Sequence, residues 1–310
     1  MELAQKSFMA DGRRLHLHHG PIDLIIEVFG GARDEAYRLA GQRFETVLDE
    51  LVSELSLLSS PARSGTKFSG AIARRMQQAI EPYSSEYVTP MAAVAGAVAD
   101  EILGQIRKVS PLVKAYVNNG GDVAFYLTEG QEISAAMAAL PSGQIRIGSS
   151  DAYRGIATSG WRGRSHSLGI ADSVSVIAGN AATADVAATM IANGVNISNH
   201  PNIKRVPAVE LSPDSDLGAF EVTTHVGDLT DEDIRLALDN GVKIAQRLVD
   251  DCLIGGAVLQ LKQLVRQTGM SAIQRTHSII DQKRELTNAG IHTTKNHGLQ
   301  RRNPSREWAS

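Results

Sequence analysis

Residues 155–193 constrain the fold more than any other stretch, because three unlike segments follow one another without a break. A loop of small residues and arginines at 158–164 leads into a β-branched apolar run at 173–177, which predicts a buried strand. The helix that begins near Ala181 has a buried side made almost entirely of alanine, yet it carries Asp185. Alanine fills little volume, so this helix must approach a neighbour or a ligand closely. A buried carboxylate needs a partner, and we interpret the unit as one half of a nucleotide and metal site.

A second helix with a small-residue face is predicted after Thr89. Threonine followed by Pro90 is a typical helix start. Glycine within a helix costs about 1 kcal/mol relative to alanine, so Gly96 indicates a close approach by another element. Asp100 lies four residues further along, on the same helix face. Tight helix packing and ligand contact both remain compatible with this pattern.

Residues 118–122, Asn-Asn-Gly-Gly-Asp, join two apolar runs at 113–117 and 123–127. Asn-Gly between such runs predicts a β-hairpin, since both residues tolerate positive φ. The same glycines would let a flat ligand or a phosphate approach the backbone. A plain hairpin and a ligand contact are therefore both open at this point.

The remaining pattern mixes helices and strands without a regular alternation, which favours an α+β fold over a doubly wound sheet. Strands are predicted at 13–18, 22–29, 144–148 and 220–226, and helices at 34–58, 70–81, 230–251 and 254–265. We expect one domain over residues 13–268, preceded by an extension at 1–12. Residues 269–310 are polar, and we expect a partly disordered tail there.

Composition narrows the classes of function. The net charge of −3 does not indicate the excess of basic residues that is typical of nucleic-acid-binding proteins. The single cysteine, Cys252, excludes an internal disulfide and a cysteine-based zinc cluster. The first residues lack an apolar signal core, and apolar runs stay well below the ~18 residues of a membrane helix. We therefore expect a soluble cytoplasmic protein without a membrane partner. Apolar helices near both ends of the chain are compatible with a homodimer.

Asp185 and Thr189 are four residues apart and share one face of the alanine-rich helix. Carboxylate and hydroxyl oxygens are hard ligands that suit magnesium, which completes its coordination with water and substrate phosphates. The structural alternative is that the Thr189 hydroxyl donates a hydrogen bond to a backbone carbonyl of its own helix.

Anion-binding groups are predicted around the same helix. Arg162 and Arg164 carry the forked donor that suits phosphate. The helix starts at Thr89 and Ala181 would offer free backbone N–H groups to an anion. With the metal pair, these groups indicate a phosphorylated ligand held together with a divalent cation.

Four motifs in this order are similar to those of the ApbE superfamily, whose founding members are FAD-dependent protein flavin transferases. They are AGAVAD at 95–100, VNNGGD at 117–122, ATSG at 157–160 and ADVAAT at 184–189. The first resembles the family's K-G-x-x-x-D helix and the last its AD-x-x-x-T metal motif. The resemblance covers most of residues 13–268 and is strongest to a soluble ApbE-like branch.

The resemblance implies a layered α+β fold with mixed or antiparallel sheets flanked by helices. It also implies a bound flavin, either FMN or FAD, with magnesium at the pyrophosphate of FAD. In the transferases the flavin mononucleotide portion passes to a threonine of a target protein, which implies a protein acceptor as well. Asp185 and Thr189 match the metal positions, and Asp185 counts as catalytic. The predicted cofactor-binding residues are Thr89, Asn118, Asn119, Gly120, Gly121, Asp122, Thr158, Ser159, Gly160, Arg162 and Arg164.

Two departures from the family pattern leave the reaction open. The transferases carry a histidine in an H-x-x-D-P-x-T-G loop, whereas SHSLG at 165–169 offers only His166 as a candidate general base. The family's lysine before the helix glycine is Ala95 here. Three hypotheses follow: a magnesium-dependent enzyme that cleaves FAD or transfers FMN, a non-catalytic binder of a flavin or phosphorylated metabolite, and a different small-molecule enzyme on the same scaffold.

Overall fold

A computed structural model describes residues 3–61, 65–136, 143–269 and 273–275. The strands are β1 (Gln5–Phe8), β2 (Leu15–His19), β3 (Ile22–Phe29), β4 (Lys114–Asn119), β5 (Asp122–Leu127), β6 (Glu132–Ala136), β7 (Gly143–Gly148), β8 (Gly155–Ser159), β9 (Ser173–Ala178), β10 (Ile203–Pro207), β11 (Glu221–Val226), β12 (Ile254–Leu261), β13 (Leu264–Thr268) and β14 (Ile273–Arg275). The α-helices are α1 (Arg33–Phe44), α2 (Val47–Ser53), α3 (Leu55–Leu58), α4 (Ala71–Ile80), α5 (Val94–Ile106), α6 (Ala181–Gly194), α7 (Ala208–Leu211) and α8 (Asp231–Asp250). Short 3₁₀ helices cover Glu81–Tyr83 and Pro90–Ala93.

The core is a nine-stranded sheet in the order β1-β2-β3-β4-β5-β8-β9-β12-β13. Its neighbouring strands all pair antiparallel. A second sheet holds β14, β7 and β6, and β10 pairs with β11 in a third. The predicted α+β class is thus confirmed. No helix in the described part of the chain is long and apolar enough to cross a membrane.

The large sheet separates two hydrophobic clusters, because successive side chains of a strand point to opposite faces. On one face, Ala124 and its neighbours pack with helices α1, α4, α5, α6 and α8. On the other face, Phe125 packs with Ile145 and Ile147 of β7. The molecule therefore has a helical layer on one side of the sheet and the small β6–β7 sheet on the other.

The predicted helix at 254–265 is wrong: the chain forms β12 and β13 there. Nearly all of β12 is buried, since this strand is covered on both faces. Its sequence is therefore a continuous apolar run, and such a run does not distinguish a buried strand from a buried helix. Gly255 marks close packing, because a Cβ there would lie 2.3 Å from the Tyr153 ring.

Other differences concern short elements. The long helix predicted at 34–58 is three helices, α1 to α3, and the strands β1, β6, β8, β10 and β14 were not predicted. The predicted strands at 13–18, 22–29, 144–148 and 220–226 and the helices near 70–81 and 230–251 are confirmed. Strand β1 lies within the predicted extension at 1–12. Described residues up to Gln274 belong to one compact unit. The tail predicted at 269–310 lies outside the described residues, apart from Gly269 and β14.

Candidate functional site

Helices α5 and α6 meet at Gly96, where a side chain would not fit. A Cβ at Gly96 would lie 2.3 Å from the backbone oxygen of Ala181. The close approach predicted from this helical glycine is therefore confirmed. It brings the first turns of two alanine-lined helices together, and the aspartates of both helix motifs lie at this contact.

Each of the two helices caps the other with a carboxylate. Asp100 of α5 accepts hydrogen bonds from the backbone N–H groups of Ala181 (3.1 Å) and Ala182 (2.9 Å). Asp185 of α6 accepts one from the backbone N–H of Gly96 (3.0 Å). Because Asn180 also accepts from the third N–H of α6, the prediction that the α6 start offers free N–H groups to an anion is wrong.

Asp185 faces a second carboxylate, that of Asp122 on β5. Burial raises the pKa of Asp185 well above its ordinary value, the charge of Asp122 raises it further, and the Gly96 hydrogen bond offsets only part of this. Burial likewise raises the pKa of Asp122 to about 7, against the lowering effects of the Thr158 N–H and the Arg164 charge. Two half-buried carboxylates in one place bind a proton or a cation more readily than isolated ones.

The β4–β5 turn borders this acid pair. Asn118 accepts a hydrogen bond from the Gly121 N–H (2.9 Å), and Asn119 donates one to the Ala95 backbone oxygen (3.1 Å). The hairpin prediction is confirmed, with φ of 65° at Gly120 and 121° at Gly121. Asn119 also ties the turn to the first turn of α5, next to the N–H group that donates to Asp185.

Arg164 lies against the glycines of this turn. A Cβ on Gly120 would come within 1.9 Å of Arg164 Nη2, so glycine at this position makes room for the guanidinium. The charge of Arg164 lowers the pKa of Asp122, although burial outweighs it. This exposed arginine is thus the cation that the described chain itself brings to the acid pair.

A cleft of about 670 Å³ opens beyond the same turn, on the sheet face away from α5 and α6. Apolar residues of β6 and β7 form one wall, and polar side chains of the large sheet form the floor. In the floor, the hydroxyls of Thr158 and Ser175 are hydrogen-bonded at 2.9 Å. The hydroxyl of Ser173 is buried and has no hydrogen-bond partner among the described residues. A buried hydroxyl left unpaired is suited to a ligand.

Asp172 organises the loop at the end of the cleft. Its carboxylate accepts hydrogen bonds from Trp161 Nε1 (3.1 Å), Arg162 Nε (2.8 Å) and the backbone N–H of Lys262. Arg162 also lies over the Trp161 ring, 4.9 Å from its centroid. This role of Asp172 is not predictable from the sequence, because its partners lie on separate segments of the chain.

Seven of the predicted cofactor-binding residues line the cleft: Asn118, Gly120, Gly121, Thr158, Ser159, Gly160 and Arg162. Asn119 and Asp122 face the helices instead, and Arg164 covers the turn. Thr89 donates its hydroxyl to the carboxylate of Asp216. His166 is half-buried in the loop between β8 and β9 and does not line this cleft.

Thr189 lies one turn after Asp185 on α6, and both residues are half-buried. Within the described residues, no group of three His, Cys, Asp or Glu side chains could hold a metal. A magnesium ion at Asp185 would therefore need hydroxyl or backbone oxygens, water or ligand phosphates. Magnesium commonly binds in this way, so the donors present fit the ion.

Comparison with known proteins identifies a matching family and similar relatives. A family model described as AbpE bacteria matches residues 6–272. A UPF0280 protein from Methanopyrus kandleri is 35% identical over 132 residues, which are 39% of this chain and 48% of that protein. A UPF0280 protein from Methanothermobacter thermautotrophicus is 36% identical over 121 residues, 35% of this chain and 43% of that protein. The matched segments thus span somewhat under half the length of these relatives.

Two solved structures are also similar. The apo flavinyl transferase ApbE from Pseudomonas stutzeri has a TM-score of 0.46 and 11% identity, over 87% of this chain and 94% of that chain. A histidine-to-glycine mutant of the flavin transferase ApbE from Vibrio cholerae has a TM-score of 0.46 and 12% identity, over 87% and 97% of the two chains.

Proposed function

The chain belongs to the family described as AbpE bacteria, an ApbE-like family, and on this premise we propose that it binds a flavin dinucleotide with magnesium and acts at the pyrophosphate. The reaction is cleavage of FAD or transfer of its FMN portion to an acceptor. The observation that carries this proposal is the acid pair of Asp122 and Asp185 beside a glycine turn that also borders a ligand-sized cleft.

The cleft suits the uncharged part of such a ligand. Its volume of about 670 Å³ falls within the usual range for small-molecule sites. Its wall is apolar, and its floor offers the hydroxyls of Thr158, Ser173 and Ser175. The one carboxylate that lines it, Asp172, is already held by Trp161 and Arg162. A ring system with hydrogen-bonding edges fits these surroundings better than a phosphate does.

The charged part of the ligand belongs at the turn. Asp185 and Thr189 are the residues that would hold magnesium, and a bound magnesium ion would neutralise the pyrophosphate oxygens and favour attack on phosphorus. Arg164 is exposed above Gly120 and can reach a phosphate there. His166 remains a candidate base in the adjoining loop.

A second candidate is a flavin-binding protein that does not react with its ligand. The observation that favours it is Ala95, which stands where the family has a lysine. The backbone oxygen of Ala95 accepts a hydrogen bond from Asn119, but its side chain offers no charge to a ligand. In this second candidate function the same cleft and acid pair hold the flavin, but the protein does not catalyse a reaction of it.

Incubation with FAD and magnesium tests the enzymatic proposal, with chromatography and mass spectrometry to detect AMP and FMN. Asp185→Asn should abolish product formation, because the amide keeps an acceptor for the Gly96 N–H but loses the charge that holds the metal. Asp100→Asn is the matched control: it makes the same chemical change in the reciprocal cap, keeps one of the two acceptor oxygens there, and should retain activity. Release of a flavin on denaturing purified protein, without turnover, would support the second candidate. Absence of both binding and turnover would defeat both.

A further inference from the structure

A second cavity, of about 440 Å³, is formed by residues outside the cleft and the acid pair. We call it the arginine cavity. Its walls come from α4, the C-terminal half of α5, the end of β5, the residue before β8 and the segment just before α6. The lining residues that matter here are Arg75, Arg107, Arg154, Gly104, Tyr126 and Asn180.

Two of its three guanidinium groups have no carboxylate partner within the described residues. Arg154 donates to the backbone oxygens of Ser149, Asp151 and Tyr153, which fixes its position without neutralising its charge. Arg107 lies over the ring of Tyr126, 5.0 Å from the centroid. Neither arginine forms an ion pair with another residue of the described chain.

The third guanidinium is only partly satisfied. Arg75 Nη2 is 3.7 Å from Glu101, but that carboxylate is already held at 2.8 Å by Arg43. Arg75 Nε is buried and finds no hydrogen-bond partner within the described residues. Asp100, the acidic group of this wall, uses both oxygens to cap α6. Positive charge and an open donor thus remain for a ligand.

Gly104 leaves space in the cavity that a side chain could fill. A Cβ built on it would meet nothing within 4 Å, whereas the other glycine of α5, Gly96, is required by the backbone of α6. Glycine within a helix is unfavourable relative to alanine. Packing requires glycine at position 96, whereas Gly104 is exposed and borders open space at the cavity.

We propose that the arginine cavity binds a phosphoryl dianion, carried either by inorganic phosphate or by a small phosphate monoester. Three arginines that line one cavity can supply forked donors to the several oxygens of such an anion. The aromatic ring of Tyr126 adds a surface on which the organic part of a monoester would lie. This site shares no ligand residue with the proposed magnesium site, so either proposal can fail without the other.

Isothermal titration calorimetry with sodium phosphate and with AMP, at constant ionic strength and without magnesium, tests the proposal. Wild-type protein should bind at least one of the two anions saturably. Gly104→Leu should weaken this binding by occupying part of the cavity, and thermal denaturation should show that this variant stays folded. Arg107→Gln should weaken binding by ~10-fold or more, as expected for loss of a charged hydrogen bond. Arg235→Gln, which removes an exposed arginine of α8, is the matched control and should bind as wild type does.

Comparing phosphate with AMP shows whether the ligand of the cavity is inorganic phosphate or a phosphate monoester. Tighter binding of AMP than of phosphate identifies a monoester as the ligand, and equal binding identifies the phosphoryl group alone; both results support the site. Asp185→Asn should bind as wild type does. Failure of both anions to bind wild-type protein, or undiminished binding by Gly104→Leu, would overturn the proposal.

Discussion

Replacing Asp122 by asparagine should stabilise the metal-free protein increasingly as the pH rises. Burial raises the pKa of Asp122 from 3.8 to about 7, so the folded state holds a proton that the unfolded state releases. A carboxyl of this kind stabilises the fold at pH values below its unfolded pKa, and this contribution is lost as the pH rises through about 7. Each pKa unit corresponds to ~1.4 kcal/mol, so between pH 5 and pH 7 the wild type should lose roughly 2–3 kcal/mol relative to the variant.

Urea denaturation in EDTA at pH 5, 6, 7 and 8 measures this difference. Asparagine keeps an oxygen for the Thr158 N–H, which limits the structural cost of the change. The free energy of unfolding of the variant, minus that of the wild type, should increase up to about pH 7 and stay constant above it. Asp214→Asn, at an exposed site, is the control and should show no such trend. A difference that is constant with pH, or that shrinks as the pH rises, would refute the buried acid pair.

Three further changes test the packing around the site. Gly96→Ala should destabilise the protein by about 3 kcal/mol or more, because its Cβ would overlap the α6 backbone; a loss below ~0.5 kcal/mol in urea denaturation would contradict this. Asp100→Ala should cost about 2–4 kcal/mol by leaving two N–H groups of α6 uncapped, and Asp100→Asn should cost less. Asp172→Ala should weaken FAD binding and shift the fluorescence of Trp161, whose indole N–H it holds; unchanged emission would show that the loop is ordered without it.

Local sequence signals were sufficient for part of the fold. The β4–β5 hairpin follows from Asn-Gly chemistry within five residues, and Gly96 signalled a close helix approach. Strand β12 could not be recognised, because burial on both faces removes the alternation that identifies a strand. Strand β8 has the sequence Gly-Ile-Ala-Thr-Ser, in which the β-branched Ile156 and Thr158 alternate with small residues, and so short a segment is hard to distinguish from a loop.

The candidate site was predictable where its residues are neighbours in sequence. Asn118, Gly120 and Gly121 lie together for that reason, and so do Thr158 to Gly160. The reciprocal caps were not predictable, since Asp100 lies 81 residues from Ala181. For the same reason the N–H groups at the start of α6 were predicted to be free, whereas Asp100 accepts hydrogen bonds from two of them. The approach of Asp122 to Asp185 also depends on the packing of distant elements.

Titration of the protein with FAD, followed by flavin fluorescence with magnesium or with EDTA, tests the central claim most directly. Wild-type protein and Asp100→Asn should bind FAD more tightly when magnesium is present. In Asp185→Asn this dependence on magnesium should disappear, because the carboxylate that faces Asp122 is gone. Magnesium-dependent binding that persists in Asp185→Asn, or wild-type binding that is the same in EDTA, would contradict the claim that this aspartate holds the metal.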